Sequence, residues 1–120
     1  MTQLPEQAID RVANYFQALA EPTRLRILNL LREAEHNVGE LADACGYTAA
    51  NMSRHLAVLM QQGFVKREGR GTSVYYQIAD PTIYALCDLV CDRITQQHLA
   101  QAWPLATVAK KRTTTARRAA

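Results

Sequence analysis

Apolar residues at helical spacing dominate the beginning of the chain. In "QAIDRVANYFQALA" the side chains of Ile9 and Phe16 fall on one face, which predicts a helix over residues 7–20. Glu21-Pro22 ends this helix, because a residue before proline disfavours the helical conformation, and Pro22 suits the first turn of a second helix. The second helix, "PTRLRILNLLREA", is apolar on nearly every side, so we expect it to form the centre of the core.

A short helix, a glycine turn and a longer helix follow along the chain. Asn37 is suited to cap the short helix, and Gly46 permits the left-handed conformation that ends it. Thr48 is suited to cap the longer helix, on which Met52 and Leu56 lie one turn apart and are expected to point inward. This order of elements is typical of a helix-turn-helix unit.

The apolar pattern then changes its period. The stretches "FVKRE" and "SVYYQIA" are rich in β-branched and aromatic residues and flank the turn sequence "GRGT", which predicts a two-stranded hairpin. Lys66, Arg67 and Arg70 are expected at or near its tip. In "DPTIYALCDLVCDRITQQHLA" Asp80 is expected to cap a final amphipathic helix, with Pro81 as its first residue. The predicted fold class is therefore mainly α with a two-stranded β-hairpin, a winged helix-turn-helix.

Composition narrows the class of protein. A chain of 120 residues with 48% apolar and 21% charged residues is ordinary for one globular domain. No apolar run approaches the roughly 18 residues of a membrane span, and the N-terminus has no signal-peptide pattern. Three cysteines, an odd number, argue against a disulfide scaffold. We therefore expect a cytoplasmic protein that makes no contact with a membrane.

Positive charge is concentrated at the C-terminal end of the chain. Five basic residues and no acid lie within "KKRTTTARRAA", and removing these five charges from the formal net charge of +3 leaves −2. Basic character in the rest of the chain must therefore be local. The absence of an apolar period predicts a domain over residues 1–108 and a disordered basic tail over residues 109–120. The tail either follows phosphates or is only a solvated end.

The helix that begins at Thr48 is unusually poor in charge in its first turns, where solvated helices commonly alternate acids and bases. The second helix of a helix-turn-helix inserts this end into the major groove of DNA, and small side chains allow a close approach. Arg54 is the strongest candidate for pairing with guanine or with a phosphate, and Thr48 can donate to a phosphate. The candidate contacts on this helix are Thr48, Ala49, Ala50, Asn51, Ser53, Arg54 and His55.

Each of these features also has a simpler explanation. A face of small residues can pack against another helix, and His55 either touches a backbone phosphate or fills a packing gap. Lys66, Arg67 and Arg70 would grip flanking phosphates or a minor groove, but three basic residues on a hairpin can also be merely solvated. The order and spacing of the features together favour double-stranded DNA as the partner.

The sequence resembles the ArsR family (ArsR/SmtB-type) of bacterial winged helix-turn-helix repressors. The stretches "FQALAEPTRLRIL" and "VGELADACGYTAANMSRHLAVLMQQGFVKREGRGTSVYYQI" and the final amphipathic helix carry the resemblance. It implies a homodimer, with the first and last helices at the subunit interface and two recognition helices in successive major grooves of a pseudo-palindromic operator. It also implies repression of transcription and release from DNA when an inducer binds.

The family reads DNA from the first turns of the recognition helix, and many relatives carry hydrogen-bonding side chains where this chain has Ala49 and Ala50. The resemblance therefore shifts the weight of base reading onto Ser53, Arg54 and the shape of the DNA.

The metal-binding positions familiar from this family are not filled by ligands here. The cysteine pair before the short third helix of thiolate sensors falls on Asn37 and Gly39, and neither can serve as a thiolate ligand. In the final-helix site only Asp80 remains, because the later positions fall on Arg93 and Gln96. Sensing of zinc, cobalt or nickel through these positions is therefore not expected.

Cys87 and Cys91 in "CDLVCDRI" are the remaining candidates for sensing, because residues four apart share a helix face. In a dimer four such sulfurs could gather near the axis and bind a soft ion such as arsenite, antimonite or zinc, or they could be oxidised. The adjacent Asp88 and Asp92 disfavour the thiolate. The alternative is that both cysteines only pack in the interface, as Cys45 is expected to pack in the core.

No pattern in the chain points to catalysis. There is no nucleophile with a base at recognisable spacing, no glycine-rich phosphate loop and no C-x-x-C pair. Among possible enzymes, a dithiol redox enzyme built on Cys87 and Cys91 would fit the sequence best. We nevertheless expect no enzymatic activity. The alternatives to an inducible repressor are a winged-helix protein-interaction module and a repressor without a metal inducer. His36 and His98 receive no role.

Overall fold

The computed structural model describes residues 3–98, which fall into two compact units, one that ends at Asp80 and one that begins at Pro81. No helix within residues 3–98 is long and apolar enough to cross a membrane. The predicted basic tail, residues 109–120, lies outside the described part. The first unit contains α1 (Glu6–Leu19), α2 (Pro22–Leu31), β1 (His36–Asn37), α3 (Val38–Cys45), α4 (Ala49–Gln61), β2 (Val65–Arg70) and β3 (Ser73–Ile78), and the second contains α5 (Thr82–Gln97).

The local signals of the helix-turn-helix unit are confirmed. Asn37 and Glu40 form a capping box, in which the Asn37 Oδ1 accepts from the Glu40 backbone N–H at 2.8 Å and the Glu40 Oε1 accepts from the Asn37 N–H at 2.9 Å. Gly46 ends α3 with a φ of 69°, a conformation that glycine adopts without strain. The Thr48 Oγ1 accepts from the Asn51 N–H at 3.2 Å and so caps α4.

The sheet contains one strand more than the predicted two-stranded hairpin. β3 pairs antiparallel with both β2 and the two-residue strand β1, which gives a three-stranded sheet in the order β1-β3-β2. The turn lies at Gly71, which has a φ of 63°, and Arg70 adjoins it. Lys66 pairs with Gln77 near the opposite end of the ladder. Arg67 pairs with Tyr76, three positions before Arg70. The expectation that Lys66 and Arg67 lie at or near the tip is therefore wrong, because the strand extends through the first glycine of "GRGT" to Arg70.

The core of the first unit lies between α2, α3, α4 and the sheet. Ile27 and Leu28 of α2 and the inward stripe of α4 are fully or almost fully buried, as the helical spacing predicted. Leu25, by contrast, is 43% exposed. One side of α2 therefore faces solvent, although its sequence is apolar on nearly every side. The buried stripe of α4 consists of Met52, Leu56 and Leu59, and Phe64 follows it.

Large apolar side chains also remain exposed on α1 and on α5. On α1, Ile9 and Phe16 are exposed, although they form the apolar stripe that predicted the helix. On α5, Leu89 and Val90 are exposed. An uncovered apolar stripe on a regular helix is typical of a contact surface for another chain.

The start of α5 differs from the prediction by one residue. Pro81 occupies the N-cap position and Thr82 is the first helical residue, so Asp80 is not the N-cap residue and Pro81 is not the first residue of the helix. Pro81 still contributes to the start of the helix, because its carbonyl accepts from the Tyr84 N–H at 3.1 Å.

Candidate nucleic-acid interface

Most side chains in the first turns of α4 are exposed. Ala49, Ala50, Ser53 and Arg54 are exposed, and Asn51 is half-buried. The side chain of Arg54 donates from Nη2 to the Asn51 Oδ1, so the two longest polar side chains of this surface are joined. The Asn51 side chain is thereby oriented by Arg54, and the other exposed side chains of this surface, Ala49, Ala50 and Ser53, are small.

His55 is turned toward the body of the protein. Its Nδ1 lies 3.3 Å from the Arg24 Nη1 and 3.8 Å from the Glu21 Oε2, and its ring lies 6.0 Å from the Tyr47 ring. The side chain therefore packs between the start of α2 and the turn before α4. Whether it also meets a backbone phosphate stays a prediction.

Arg24 was not singled out by the sequence, yet it lies at the centre of these contacts. Its Nε donates to the Ala18 carbonyl at 2.6 Å and its Nη2 donates to the Gln17 carbonyl at 3.1 Å, so it caps the C-terminal end of α1. The Glu21 Oε2 accepts from the Arg24 backbone N–H at 3.1 Å. Partial burial raises the pKa of the Glu21 carboxyl, but this hydrogen bond and the nearby His55 outweigh burial and lower the pKa overall.

A cleft of about 360 Å³ opens beside the first turns of α4, and we call it the α4 cleft. One wall is a stripe of α4 and the other is formed by α2 and the turn before α4. Thr23, which is buried, donates to the Tyr47 hydroxyl at 2.9 Å and so fixes the ring in the wall. The lining residues are Arg24, Tyr47, Asn51, Arg54, His55 and Val58.

On the wing, which is the β2–β3 hairpin, the Arg70 guanidinium forms ion pairs with two carboxylates. Its guanidinium donates to both carboxylate oxygens of Glu35, with Nη2 to Oε2 at 2.8 Å, and its Nε donates to the Glu68 Oε1 at 2.6 Å. The guanidinium also lies 5.0 Å from the centre of the Tyr75 ring. The Gln77 amide donates to the Glu35 Oε2 at 2.7 Å.

These contacts shift both partners of the ion pair. The hydrogen bonds from Arg70 and then Gln77 lower the pKa of the Glu35 carboxyl, and Glu35 followed by Glu68 raises the pKa of Arg70. Lys66 and Arg67 differ from Arg70, since both are exposed on β2 and neither side chain forms a hydrogen bond or ion pair within residues 3–98. Of the three basic wing residues, only Arg70 is paired with carboxylates within the described residues, so the charges of Lys66 and Arg67 are the more available to a ligand.

The cysteines offer few ligands for a metal within one chain. Cys87 and Cys91 are both half-buried on α5, and neither they nor Cys45 form a disulfide. Among the described residues no group of three or more His, Cys, Asp or Glu side chains could hold a metal ion. Two thiolates are fewer than the three or four protein ligands of a typical zinc site, so one copy of α5 does not by itself fit a metal. Burial raises the pKa of the Cys45 thiol, which keeps it protonated.

A helix-turn-helix unit that leads into an antiparallel wing defines the chain as a winged helix-turn-helix protein. Residues 21–67 match the family described as "Bacterial regulatory protein, arsR family". The transcriptional regulator NmtR of Mycobacterium tuberculosis is 39% identical over 85 residues, which cover 71% of each chain. The chain belongs to the arsR family of bacterial regulatory proteins. The resemblance seen in the sequence is confirmed, and so is the expectation that the chain is not an enzyme, because this is a family of transcriptional regulators.

Solved structures of similar proteins agree with the fold. The crystal structure of Rv0081 from M. tuberculosis superposes with a TM-score of 0.71 at 33% identity and covers 79% of this chain and 99% of that one. A domain of Mb0332 from Mycobacterium bovis, described as a homodimeric winged helix-turn-helix DNA-binding domain, gives a TM-score of 0.68 at 33% identity, with 82% and 96% covered. The Rv0081 sequence is 41% identical over 75 residues. The aligned part covers 62% of this chain and 66% of Rv0081, slightly under two thirds of its length.

Proposed function

We propose that the chain is a cytoplasmic transcriptional repressor that binds a pseudo-palindromic operator as a homodimer. The observation that carries the proposal is the exposed start of α4, where Thr48 caps the helix and no carboxylate is present in the first turns. Carboxylates there would repel phosphate, whereas Ser53 and the joined pair of Asn51 and Arg54 offer hydrogen-bonding groups to base edges or phosphates. Ala49 and Ala50 offer methyl groups for contact with thymine.

The wing supplies the second part of the proposed interface. Lys66 and Arg67, whose side chains form no ion pair within residues 3–98, would contact flanking phosphates. Arg70 would contribute less, because the two carboxylates of Glu35 and Glu68 outweigh its charge. The division of roles follows the general pattern in which phosphate contacts position a protein and base contacts specify the sequence.

Dimerisation is supported by the exposed apolar side chains of α1 and, separately, of α5. Phe16 and Leu89 are 49% and 67% exposed, and such large apolar residues are usually covered in a stable assembly. The similar M. bovis domain is described as homodimeric, which supports a dimer here. Two copies would place two α4 helices one turn of DNA apart.

The test of this function is fluorescence anisotropy with a labelled duplex taken from the region upstream of the chain's own gene. A scrambled duplex of equal length is measured beside it at near-physiological salt. A preference of about 10³ or more for the upstream duplex is expected, since specific binding commonly exceeds non-specific binding by at least that factor. Equal and strongly salt-dependent binding to both duplexes would contradict a repressor of its own gene and favour the protein-interaction module.

A thiol-directed inducer is the second element of the proposal. Cys87 and Cys91 lie one turn apart on α5, and two copies of this helix would bring together as many as four thiols. Such a set suits a soft ion such as arsenite, antimonite or zinc, and it also suits oxidation. The similar M. tuberculosis and Synechocystis proteins named NmtR and SmtB homolog are regulators of the same family.

Inducer release is tested in the same anisotropy assay after the addition of arsenite, zinc or an oxidant. Release from DNA by one of these agents is expected for the wild type and not for Cys87→Ser or Cys91→Ser. Cys45→Ser is the matched control, because its thiol lies on α3 in the first unit. Retention of DNA under all three agents would show that the two cysteines of α5 only pack.

A further inference from the structure

The α4 cleft is built from a continuous stripe of the recognition helix. Asn51, Arg54, His55 and Val58 follow one another at helical spacing, so they share one side of α4. Arg24 faces them from α2. At about 360 Å³ the cleft is large enough for a small ligand or for one phosphate group with its attached sugars.

The charge of the cleft is positive on both walls. Arg24 and Arg54 contribute one guanidinium each, and no carboxylate lines the cleft. The nearest acid shown, Glu21, lies 3.8 Å from the His55 Nδ1, but it accepts from the Arg24 backbone N–H and is not part of the lining. The two guanidiniums outnumber this single nearby carboxylate, and the remaining positive charge favours an oxyanion.

Two of the polar groups are held in place before any ligand arrives. Arg24 uses Nε and Nη2 to cap the end of α1, so its guanidinium is fixed by two backbone carbonyls. The His55 Nδ1 lies 3.3 Å from the Arg24 Nη1 and 3.8 Å from the Glu21 Oε2, so the ring is oriented by both side chains. When Nδ1 accepts from Arg24, or when the ring is protonated, the His55 Nε2 carries a proton that it can donate to an anion. Fixed donors lose little entropy when an anion binds.

We propose that the α4 cleft holds one phosphate of the DNA backbone, with Arg24 and His55 as phosphate contacts beside Arg54. The proposal rests on the proposed function, because an α-helix in a major groove about 12 Å wide has phosphates along both of its flanks. The stripe from Asn51 to Val58 is one such flank. The cleft thereby fixes how α4 lies in the groove, whereas the exposed first turns read the bases.

The test measures how the affinity for a non-specific duplex depends on salt, using the full chain. Each phosphate neutralised contributes about 0.9 to the slope of log K against log salt, so Arg24→Gln is expected to lower the slope by about 0.9 per subunit. Arg24→Lys keeps the charge and is expected to keep the slope. Arg26→Gln is the matched control, because Arg26 lies on the same helix, is exposed and does not line the cleft.

Arg24 also caps α1, so each variant is first checked by thermal unfolding. If Arg24→Gln does not fold, His55→Ala replaces it and is expected to weaken binding roughly tenfold per subunit, the effect of one hydrogen bond to a charged group. In a second arm, inorganic phosphate is added at constant ionic strength while the imidazole resonances of His55 are followed by NMR, with those of His36 as the internal reference. A saturable shift confined to His55 is expected.

The outcomes separate the cleft from the proposed function. A lower slope in Arg24→Gln but not in Arg26→Gln supports the proposal, whether or not free phosphate binds. An unchanged slope in folded Arg24→Gln overturns it while DNA binding itself stands. A saturable shift with free phosphate and an unchanged slope would overturn DNA as the occupant and leave a free oxyanion as the ligand. If the wild type binds no duplex at all, the proposed function and this proposal both fall.

Discussion

Glu35→Gln tests how much of the positive charge of Arg70 reaches DNA. In the wild type Arg70 is paired with Glu35 and Glu68, so the three side chains together carry a net charge of −1 at neutral pH. The substitution brings this sum to zero and keeps one amide oxygen, which can accept from Arg70 Nη2 and Gln77 in place of Oε2, whereas the contact of Oε1 with Arg70 Nη1 is lost. The shape of the wing should therefore change little, while its net charge becomes more positive by one.

The expected result is tighter and more salt-dependent binding to any duplex. If each wing gains one phosphate contact, the slope of log K against log salt steepens by up to about 0.9 per subunit. Arg70→Ala acts in the opposite direction, because it leaves the two carboxylates of Glu35 and Glu68 beside the DNA without their cation. We expect it to weaken binding to all duplexes.

The assay is anisotropy of a labelled non-specific duplex over a series of salt concentrations. Glu33→Gln is the matched control, since it removes the same charge from an exposed position two residues away. Glu33 is not among the acids that pair with Arg70, so this control should leave the slope unchanged. A flatter slope and weaker binding for Glu35→Gln would refute the reasoning, because Glu35 would then be needed to hold Arg70 in a binding position.

Four further predictions concern the stability of the fold. Leu56→Ala removes a fully buried side chain and should lower the free energy of unfolding by about 2–5 kcal/mol, measured by urea titration against Ala57→Ser at an exposed neighbour. Thr48→Ala removes the cap of α4 and should cost about 1 kcal/mol in the same assay, whereas Thr48→Ser should restore it. Gly46→Ala places a side chain at a φ of 69° and should cost about 1–2 kcal/mol, and an unchanged midpoint would contradict the strain argument. The pKa of the Glu35 carboxyl is lowered in the folded state. Its contribution to stability is therefore present above its ordinary pKa and is lost as the pH falls through the lowered value. The stability of Glu35→Gln, followed by thermal unfolding, should fall less than that of the wild type over this acidic range.

The features that sequence predicted well are those decided over a few residues. Asn37, Gly46 and Thr48 each act through a backbone group within about one turn, so a cap or a left-handed turn is visible in the sequence itself. The inward stripe of α4 follows from helical spacing, since Met52 and Leu56 must share a face. The winged helix-turn-helix fold followed from the order of these local signals.

The features that sequence missed depend on residues far apart in the chain. Glu35 and Arg70 are 35 residues apart, and Arg24 and His55 are 31 residues apart, so no local pattern links them. β1 contains only two residues, too few for an alternating pattern, and it forms only because β3 offers an edge for pairing. The exposure of Leu25 was missed because an apolar composition does not show which side of a helix remains uncovered.

One residue connects the sheet that carries the wing to the helix-turn-helix. Asn37 pairs with Tyr75 in the sheet that carries the wing, and the same residue caps α3 at the entrance to the helix-turn-helix. Asn37 therefore links the sheet to the helix-turn-helix directly through its backbone and side chain. In the proposed complex, a change in the spacing between the DNA contacts of α4 and those of the wing would involve this residue as well as the length of the hairpin.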